Sequence, residues 1–211
     1  MKVLLVLGSP HKDGCTFTAL REVEKVLHEE GIETDWVWLG NKPISGCLGC
    51  GGCQGTGQCV IKGDTVNELI EKSHDADGFI FGTPVHYAAA SGQITSALDR
   101  FFYAAKRSGK NPFRLKPAAC VVSARRAGTT ATFDQMIKYF TISEMPVISS
   151  RYWNMVHGNT PEEVKQDLEG LQCMRILARN MAWFLKVKEA GKAAGIPLPT
   201  EEKPIATNFI R

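Results

Sequence analysis

No run of apolar residues in this 211-residue chain approaches the ~20 that a membrane-spanning helix requires. The N-terminal run Val3 to Leu7 is too short for a signal-peptide core, and no small-residue cleavage pattern follows it. A soluble, cytoplasmic protein with no membrane partner is expected. Charge of one sign is scarce as well, since 25 Lys and Arg against 22 Asp and Glu leave a net +3. That mild balance argues against dedicated DNA or RNA binding, which needs basic clustering, and against a strongly acidic docking surface. The dinucleotide fingerprint Gly-x-Gly-x-x-Gly and the Gly-Lys-Ser/Thr ending of a P-loop are both absent. Their absence disfavours NAD bound in the Rossmann manner and nucleotide hydrolysis.

What is present suits one compact domain, because 44% hydrophobic residues in a chain of this length can bury a sizeable core. Cysteine is the unusual residue. Four of the seven, Cys47, Cys50, Cys53 and Cys59, lie within thirteen positions. An odd total with such crowding does not resemble a disulfide framework and fits a reduced, intracellular protein.

The Val and Leu run from Lys2 to Leu7 suits a strand covered on both faces or a buried helix, and Gly8-Ser9-Pro10 after it favours the strand. Leu20, Val23, Val26 and Leu27 then recur at helical spacing, and Gly31 closes the pattern. Further strands are predicted at Ile32 to Leu39, Phe79 to Phe81, Ala118 to Ser123 and Val147 to Ser149. Helices are predicted at about Ser91 to Lys106 and Thr132 to Phe140. Thr160-Pro161-Glu162-Glu163 reads as a capping box that opens the longest helix, with Val164, Leu168, Leu171, Leu177 and Met181 toward the sheet. Trp36 and Trp38 alternate along their strand and are expected on one face. Alternation of strand and helix implies an α/β, doubly wound parallel sheet with helices on both faces. Five strands fit the flavodoxin-like order 2-1-3-4-5. Residues 1–190 form the expected domain, with a Cys-rich loop at 46–60. Residues 191–211 hold three prolines and no periodic apolar face, and are expected as an extended C-terminal arm. Its apolar end, Thr207 to Arg211, is a candidate to dock on another subunit of a homodimer or homotetramer.

Gly8-Ser9-Pro10-His11-Lys12-Asp13-Gly14-Cys15-Thr16 leaves a buried strand and enters a helix whose first amides have no internal acceptor. Those amides, the Ser9 and Thr16 hydroxyls and the helix dipole make an anion site; a plain strand-helix turn with a capping serine is the alternative. In a parallel sheet, the loops after Phe79 to Phe81 and after Ala118 to Ser123 should meet this one at the carboxyl edge. The loop Gly8 to Thr16, Thr83-Pro84-Val85-His86-Tyr87 with Ser91-Gly92-Gln93, and Leu98-Asp99-Arg100 together resemble the NADPH-dependent FMN reductase family. The usual Arg and Asn of its phosphate loop are here His11 and Cys15.

The resemblance implies an FMN site built from Ser9, His11, Gly14, Cys15 and Thr16, from Pro84, Val85, His86 and Tyr87, and from Ser123, Arg125, Arg126 and Gly128. Backbone amides near Val85 and His86 would reach the flavin edge, Tyr87 would lie near the ring, and Arg125 or Arg126 would stabilise negative charge on the reduced ring. Without that resemblance, Tyr87 reads as a packing aromatic and the arginines as a solvated pair.

Cys47-x-x-Cys50-x-x-Cys53-x5-Cys59 lies in a glycine-rich loop, where soft thiolates suit iron-sulfur or zinc. Structural zinc normally uses two separated pairs, so the compact spacing suits a [4Fe-4S] cluster better. The motif resembles that of the iron-sulfur flavoproteins, a branch of the same family. A cluster-free loop of redox-sensitive thiols stays open, and the loop is expected beside the flavin edge. Cys120 and Cys173 read as buried hydrophobes. Cys15, at a helix N-terminus, is a candidate reactive thiol. The segment Tyr152 to Gly158 follows the last strand and is expected to border the same crevice, where His157 reads either as a proton donor or as a structural histidine.

The expected function is an FMN-dependent oxidoreductase taking electrons from NADPH or NADH and passing them to a small-molecule acceptor or a redox protein. No catalytic side chain is assigned, because the cofactor carries the chemistry. The alternative is an iron-sulfur flavoprotein acting as an electron carrier fed by ferredoxin.

Overall fold

A computed structural model describes residues 1–109, 111–207 and 209. Strand β1 (Lys2–Leu7) is buried from Val3 to Leu7, which a strand covered on both faces requires. It pairs in parallel with β2 (Glu33–Trp38) on one side and β3 (Gly78–His86) on the other, Leu5 in register with Trp36 and with Ile80. A two-residue β4 (Ala89–Ala90) folds back antiparallel on β3. Beyond β3 lie β5 (Ala118–Ala124) and β6 (Met155–His157), both parallel. With β4 set aside, the order β2-β1-β3-β5-β6 is the predicted doubly wound flavodoxin-like order.

The helices are α1 (Cys15–Glu29), α2 (Val66–His74), α3 (Gly92–Lys106), α4 (Thr129–Thr141), α5 (Pro161–Val164) and α6 (Leu168–Ala193). Alternate residues of β1 divide the core between them. Leu4 and Val6 pack with α2, α3 and α4, while Val3, Leu5 and Leu7 pack with α1 and α6. Each such side chain contributes roughly 1.5–3 kcal/mol by leaving water. Gly31, at φ 75°, ends α1 in a Schellman motif: its amide donates to His28 O, and that of Ile32 donates to Leu27 O.

Two predicted elements sit differently. Val147 makes only an isolated bridge to Ala118, and the strand proper comes at Met155–His157 beside Val122 to Ala124. Both pair with the same edge of β5, so an excursion through residues 149–154 splits what the apolar run at Val147 promised as one strand. Thr160 opens only the four-residue α5, its hydroxyl accepting from the Glu163 amide at 3.3 Å. The Glu163 carboxylate accepts from Asn159 rather than Thr160, at 2.6 Å. The chain then turns, and Asp167 starts the longest helix by accepting the Gly170 amide at 2.9 Å. That restart resets the helical phase. Val164, Leu177 and Met181 are buried as predicted and Leu171 is half-buried, but Leu168 is 74% exposed.

Helix α6 runs through Ala193, so residues 191–193 belong to it rather than to the arm. Beyond Gly195 the described residues form no helix or strand, and Ile196, Leu198, Ile205 and Phe209 are exposed. Arg114 donates to Pro199 O at 2.9 Å. Asn208, Ile210 and Arg211 of the expected docking segment lie outside the described residues.

Candidate functional site

The loop between β1 and α1 is pinned from below. The Gly8 amide donates to Gly82 O at 2.8 Å and Gly8 O accepts from the Ser91 hydroxyl at 3.1 Å. A Cβ at Gly8 would lie 2.6 Å from Ile94 Cδ1, so only glycine permits this approach. Ser9 is buried, its hydroxyl accepting the His11 amide at 3.2 Å and its carbonyl the Trp38 indole at 2.8 Å. Helix α1 then begins at Cys15 with Gly14 as its N-cap and no acidic residue in its first turn. Its leading amides therefore point out of the helix with no carboxylate from that turn to occupy them.

The loops after β3 and β5 meet this one as predicted. Thr16 and Ser123, both buried, share a hydrogen bond of 2.7 Å that ties α1 to β5. Thr83 is also buried, accepting the Ser91 amide at 3.3 Å, and Ser91 caps α3. The result is a cleft of about 630 Å³ at the carboxyl edge of the sheet, lined by Ser9, His11, Gly14, Cys15, Thr16, Pro84, Val85, His86, Ser123 and Arg125 among others. This size is typical of a site for a small cofactor.

Tyr87, Arg126 and Gly128 were expected in this cleft and do not line it. Tyr87 and Ala88 form the two-residue tip of the β3-β4 hairpin, both left-handed at φ 49° and 60°. That turn normally takes Asn-Gly, and here it holds the Tyr87 side chain fully in solvent. Gly128, at φ 93°, lies behind the tip, where a Cβ would come 2.7 Å from Ala88 Cα. It supports the hairpin. Arg126 is exposed beside the cleft-lining Arg125.

A fourth wall was foreseen only at Gly158, and Asn159, Thr160 and Pro161 escaped sequence reasoning. Gly158, Asn159, Thr160 and Pro161 close the cleft opposite β3, joined by Lys12, Asp13 and Ala124. The signal was the cap at Thr160-Pro161, which marks a helix start at a strand end but reads alone as a packing feature. The Cys15 thiol donates to Gly158 O at 3.6 Å. Burial, with Glu163 and Glu162 nearby, pushes this thiol up from its ordinary value. Burial thus works against the reactivity expected from its place at a helix N-terminus. His157 does not line the cleft; its amide donates to Asp167 at 2.7 Å and its ring lies 3.8 Å from the same carboxylate. Cys120 and Cys173 are fully buried in the core as predicted, and burial pushes the Cys120 thiol far up.

The cysteine loop is a separate place. Cys47, Cys50, Cys53 and Cys59 line a hollow with Leu48, Val60, Arg100 and Tyr103 that shares no residue with the cleft. Arg100, in the wall of the hollow, lies eight residues beyond Gly92 at the head of α3, or roughly 12 Å along that helix. Cys53 and Cys59 form the buried inner wall, whereas Cys47 and Cys50 are exposed. Cys59 is held on three sides. Its amide donates to Asn67 Oδ1 at 2.8 Å, its carbonyl accepts from Asn67 Nδ2 at 3.0 Å, and its sulfur accepts from Arg100 Nε at 3.2 Å. Among the described residues, no three His, Cys, Asp or Glu side chains are gathered closely enough to grip a single ion. The hollow is only about 20 Å³, room for one water.

Over residues 1–160 the chain matches the family described as NADPH-dependent FMN reductase. It is 33% identical to an iron-sulfur flavoprotein of Methanocaldococcus jannaschii over 89% of this chain and 98% of that one. An iron-sulfur flavoprotein of Archaeoglobus fulgidus is 31% identical over 87% and 97% respectively. Among solved structures, RosB with a bound 8-demethyl-8-formylriboflavin-5'-phosphate intermediate superposes with a TM-score of 0.70 at 15% identity, covering 100% of this chain and 92% of that one.

Proposed function

As this chain belongs to the NADPH-dependent FMN reductase family, we propose that it takes electrons from NADPH or NADH through FMN bound in the cleft and delivers them to a small-molecule acceptor or a redox protein. The observation that carries this reading is the convergence of the α1 N-terminus with the ends of β3 and β5 on one cleft of cofactor size. FMN fits the residues present: a phosphate meets unoccupied helix amides over the buried Ser9 and Thr16, and a Cβ at Gly14 would crowd His11 Cβ at 3.0 Å. Bound FMN supplies hydride acceptance and its onward transfer in one- or two-electron steps.

The chain's own residues bind and orient. The amides of Cys15 and Thr16 and the α1 dipole hold the phosphate, and Lys12 and His11 add positive charge at the rim. The Thr16–Ser123 bond fixes α1 against β5 beneath the cofactor. Backbone groups at Val85 and His86 meet the ring edge. Arg125 stabilises negative charge on the ring when reduced. No side-chain acid or base is required.

The four cysteines are read as the ligands of a [4Fe-4S] cluster, which supplies one-electron transfer when bound. The donor set supports this, being thiols alone with a guanidinium on one sulfur. The hollow must widen to admit such a group, and its outer wall of Cys47, Leu48 and Cys50 is the exposed one. Relatives named iron-sulfur flavoproteins favour a second reading, an electron carrier fed by ferredoxin.

Anaerobic purification followed by a visible spectrum, iron, sulfide and zinc assays, and stopped-flow reduction by NADPH tests these readings. A flavin spectrum bleached by NADPH supports the reductase. Bleaching by reduced ferredoxin alone supports the carrier, and absence of flavin after reconstitution with FMN overturns both. Zinc in place of iron overturns the cluster. A homo-oligomer held by the exposed arm is a further part of the proposal. Light scattering on the chain truncated after Gly195 should then give a smaller assembly, and an unchanged one counts against the arm.

A further inference from the structure

We propose that Arg100 is the positioning residue of the cysteine loop, fixing the Cys59 sulfur and raising the reduction potential of the centre that the loop carries. This rests on the cluster reading of the four cysteines given above. Arg100 is 1% exposed and sits on α3, an element that contributes no cysteine. Its guanidinium is spent entirely on the loop. Nε donates to Cys59 Sγ at 3.2 Å, Nη1 to Ser45 O at 3.2 Å and to Asp64, and Nη2 to Ile61 O at 3.0 Å and to Asp64 Oδ1 at 3.1 Å. One side chain thus ties the chain just before the first cysteine to the last cysteine and to the segment that follows it.

A loop could be closed by neutral amides, as Asn67 closes the backbone of Cys59. Burying a guanidinium for that purpose is costly unless it is paired. Asp64 pairs it, so the charge is tolerated. An arginine keeps its charge at any ordinary pH, and here it is matched by two bonds to the Asp64 carboxylate. What the arginine adds over an amide is a charge-assisted donor aimed at a sulfur in a site closed to water on that side. Hydrogen bonds to the sulfurs of a thiolate-held cluster withdraw charge and favour the reduced state. The contact falls on Cys59, the cysteine whose main chain is already immobilised, while Cys47 and Cys50 stand exposed. Cys59 is accordingly the fixed ligand on which the others close.

The test compares the iron-loaded wild type with Arg100→Lys and with the double variant Arg100→Met/Asp64→Asn, which leaves no orphan carboxylate. Flavin affinity reports folding, since the cleft shares no residue with the hollow. The reduction midpoint and the rate of iron loss to a chelator are the readouts. The double variant should shift about tenfold toward the oxidised form, which for a one-electron couple is ~59 mV more negative, and release iron about tenfold faster. Arg100→Lys, which keeps the charge but not the fork, should fall between. Variants that bind flavin and iron with the wild-type midpoint overturn the inference while leaving the cluster reading intact. If the double variant does not fold, a wild-type midpoint in Arg100→Lys overturns it. A wild type that takes up no iron overturns the cluster reading and this inference with it.

Discussion

At the carboxyl edge of the sheet, four loops leave buried strands, and their backbones are locked by Gly8 on Gly82, Ser91 on Gly8 and Thr16 on Ser123. The cysteine hollow on the flank of α3 is locked on one wall only, with Cys59 gripped by Asn67 and Arg100 and Cys47 and Cys50 exposed. The cleft is ready for its ligand before binding, so little ordering cost attends binding. The hollow, at about 20 Å³, would have to widen to hold the cluster proposed for it. Metal-thiolate sites couple in this way to folding, because their binding energy is partly the ordering of the loop.

The sharpest way to break the comparison is to damage one site and read the other. Gly8→Val drives a side chain into Ile94 and the Gly82 carbonyl. Overpacking of this kind costs roughly 1–3 kcal/mol, and FMN affinity by fluorescence titration should fall about 100-fold with iron content unchanged. Next is the hairpin tip. Tyr87→Asn with Ala88→Gly supplies the residues that its left-handed geometry prefers, and should raise the melting temperature by ~2–4 °C. If strain there serves the flavin, calorimetric titration should show FMN binding weakened by about tenfold; unchanged binding would make the tip a mere turn.

Alkylation separates the sites by thiol chemistry. At pH 8, mass spectrometry on iodoacetamide-treated apoprotein should show Cys47 and Cys50 modified first and Cys15 about tenfold slower. Burial and the carboxylates of Glu163 and Glu162 keep Cys15 protonated. Its rate should climb only above the ordinary thiol range, as rising pH removes that proton. The smallest expected effect is also informative. Replacing all four loop cysteines by serine should abolish metal uptake while leaving FMN affinity within about twofold, because the hollow and the cleft share no residue. A larger fall would mean that the two sites communicate.

The sheet was legible because β1 and β5 are short continuous apolar runs, and the turn residues after them favour a both-faces-covered strand over a buried helix. The edge was not. Val147 and Met155 each contact β5 over a few residues, and so short a pairing leaves no periodicity to read. The loop from β1 to α1 was legible as a strand, a glycine turn and a helix start in series. Beyond Gly158 the fourth cleft wall was hidden because Thr160 carries a genuine cap signal whose helix ends four residues on. For the cysteines, spacing gathered four thiols into one loop, and they line one hollow. It could not reveal Arg100, which sits forty-one positions from Cys59 and meets it only through the packing of α3. The stretch Leu98-Asp99-Arg100 resembles the family's flavin-loop helix, yet its arginine bonds Cys59.

Asp167 gathers more of the molecule than its place at a helix start suggests. One oxygen receives the Gly170 amide at the head of α6 and the other receives the His157 amide at the end of β6. The next residue, Gly158, accepts the thiol of Cys15 at the head of α1. A single carboxylate therefore couples the longest helix mechanically to the cleft's fourth wall. The head of α6 and the rim of the cleft are thereby joined through three hydrogen bonds, the last of them the 3.6 Å contact of Cys15 on Gly158.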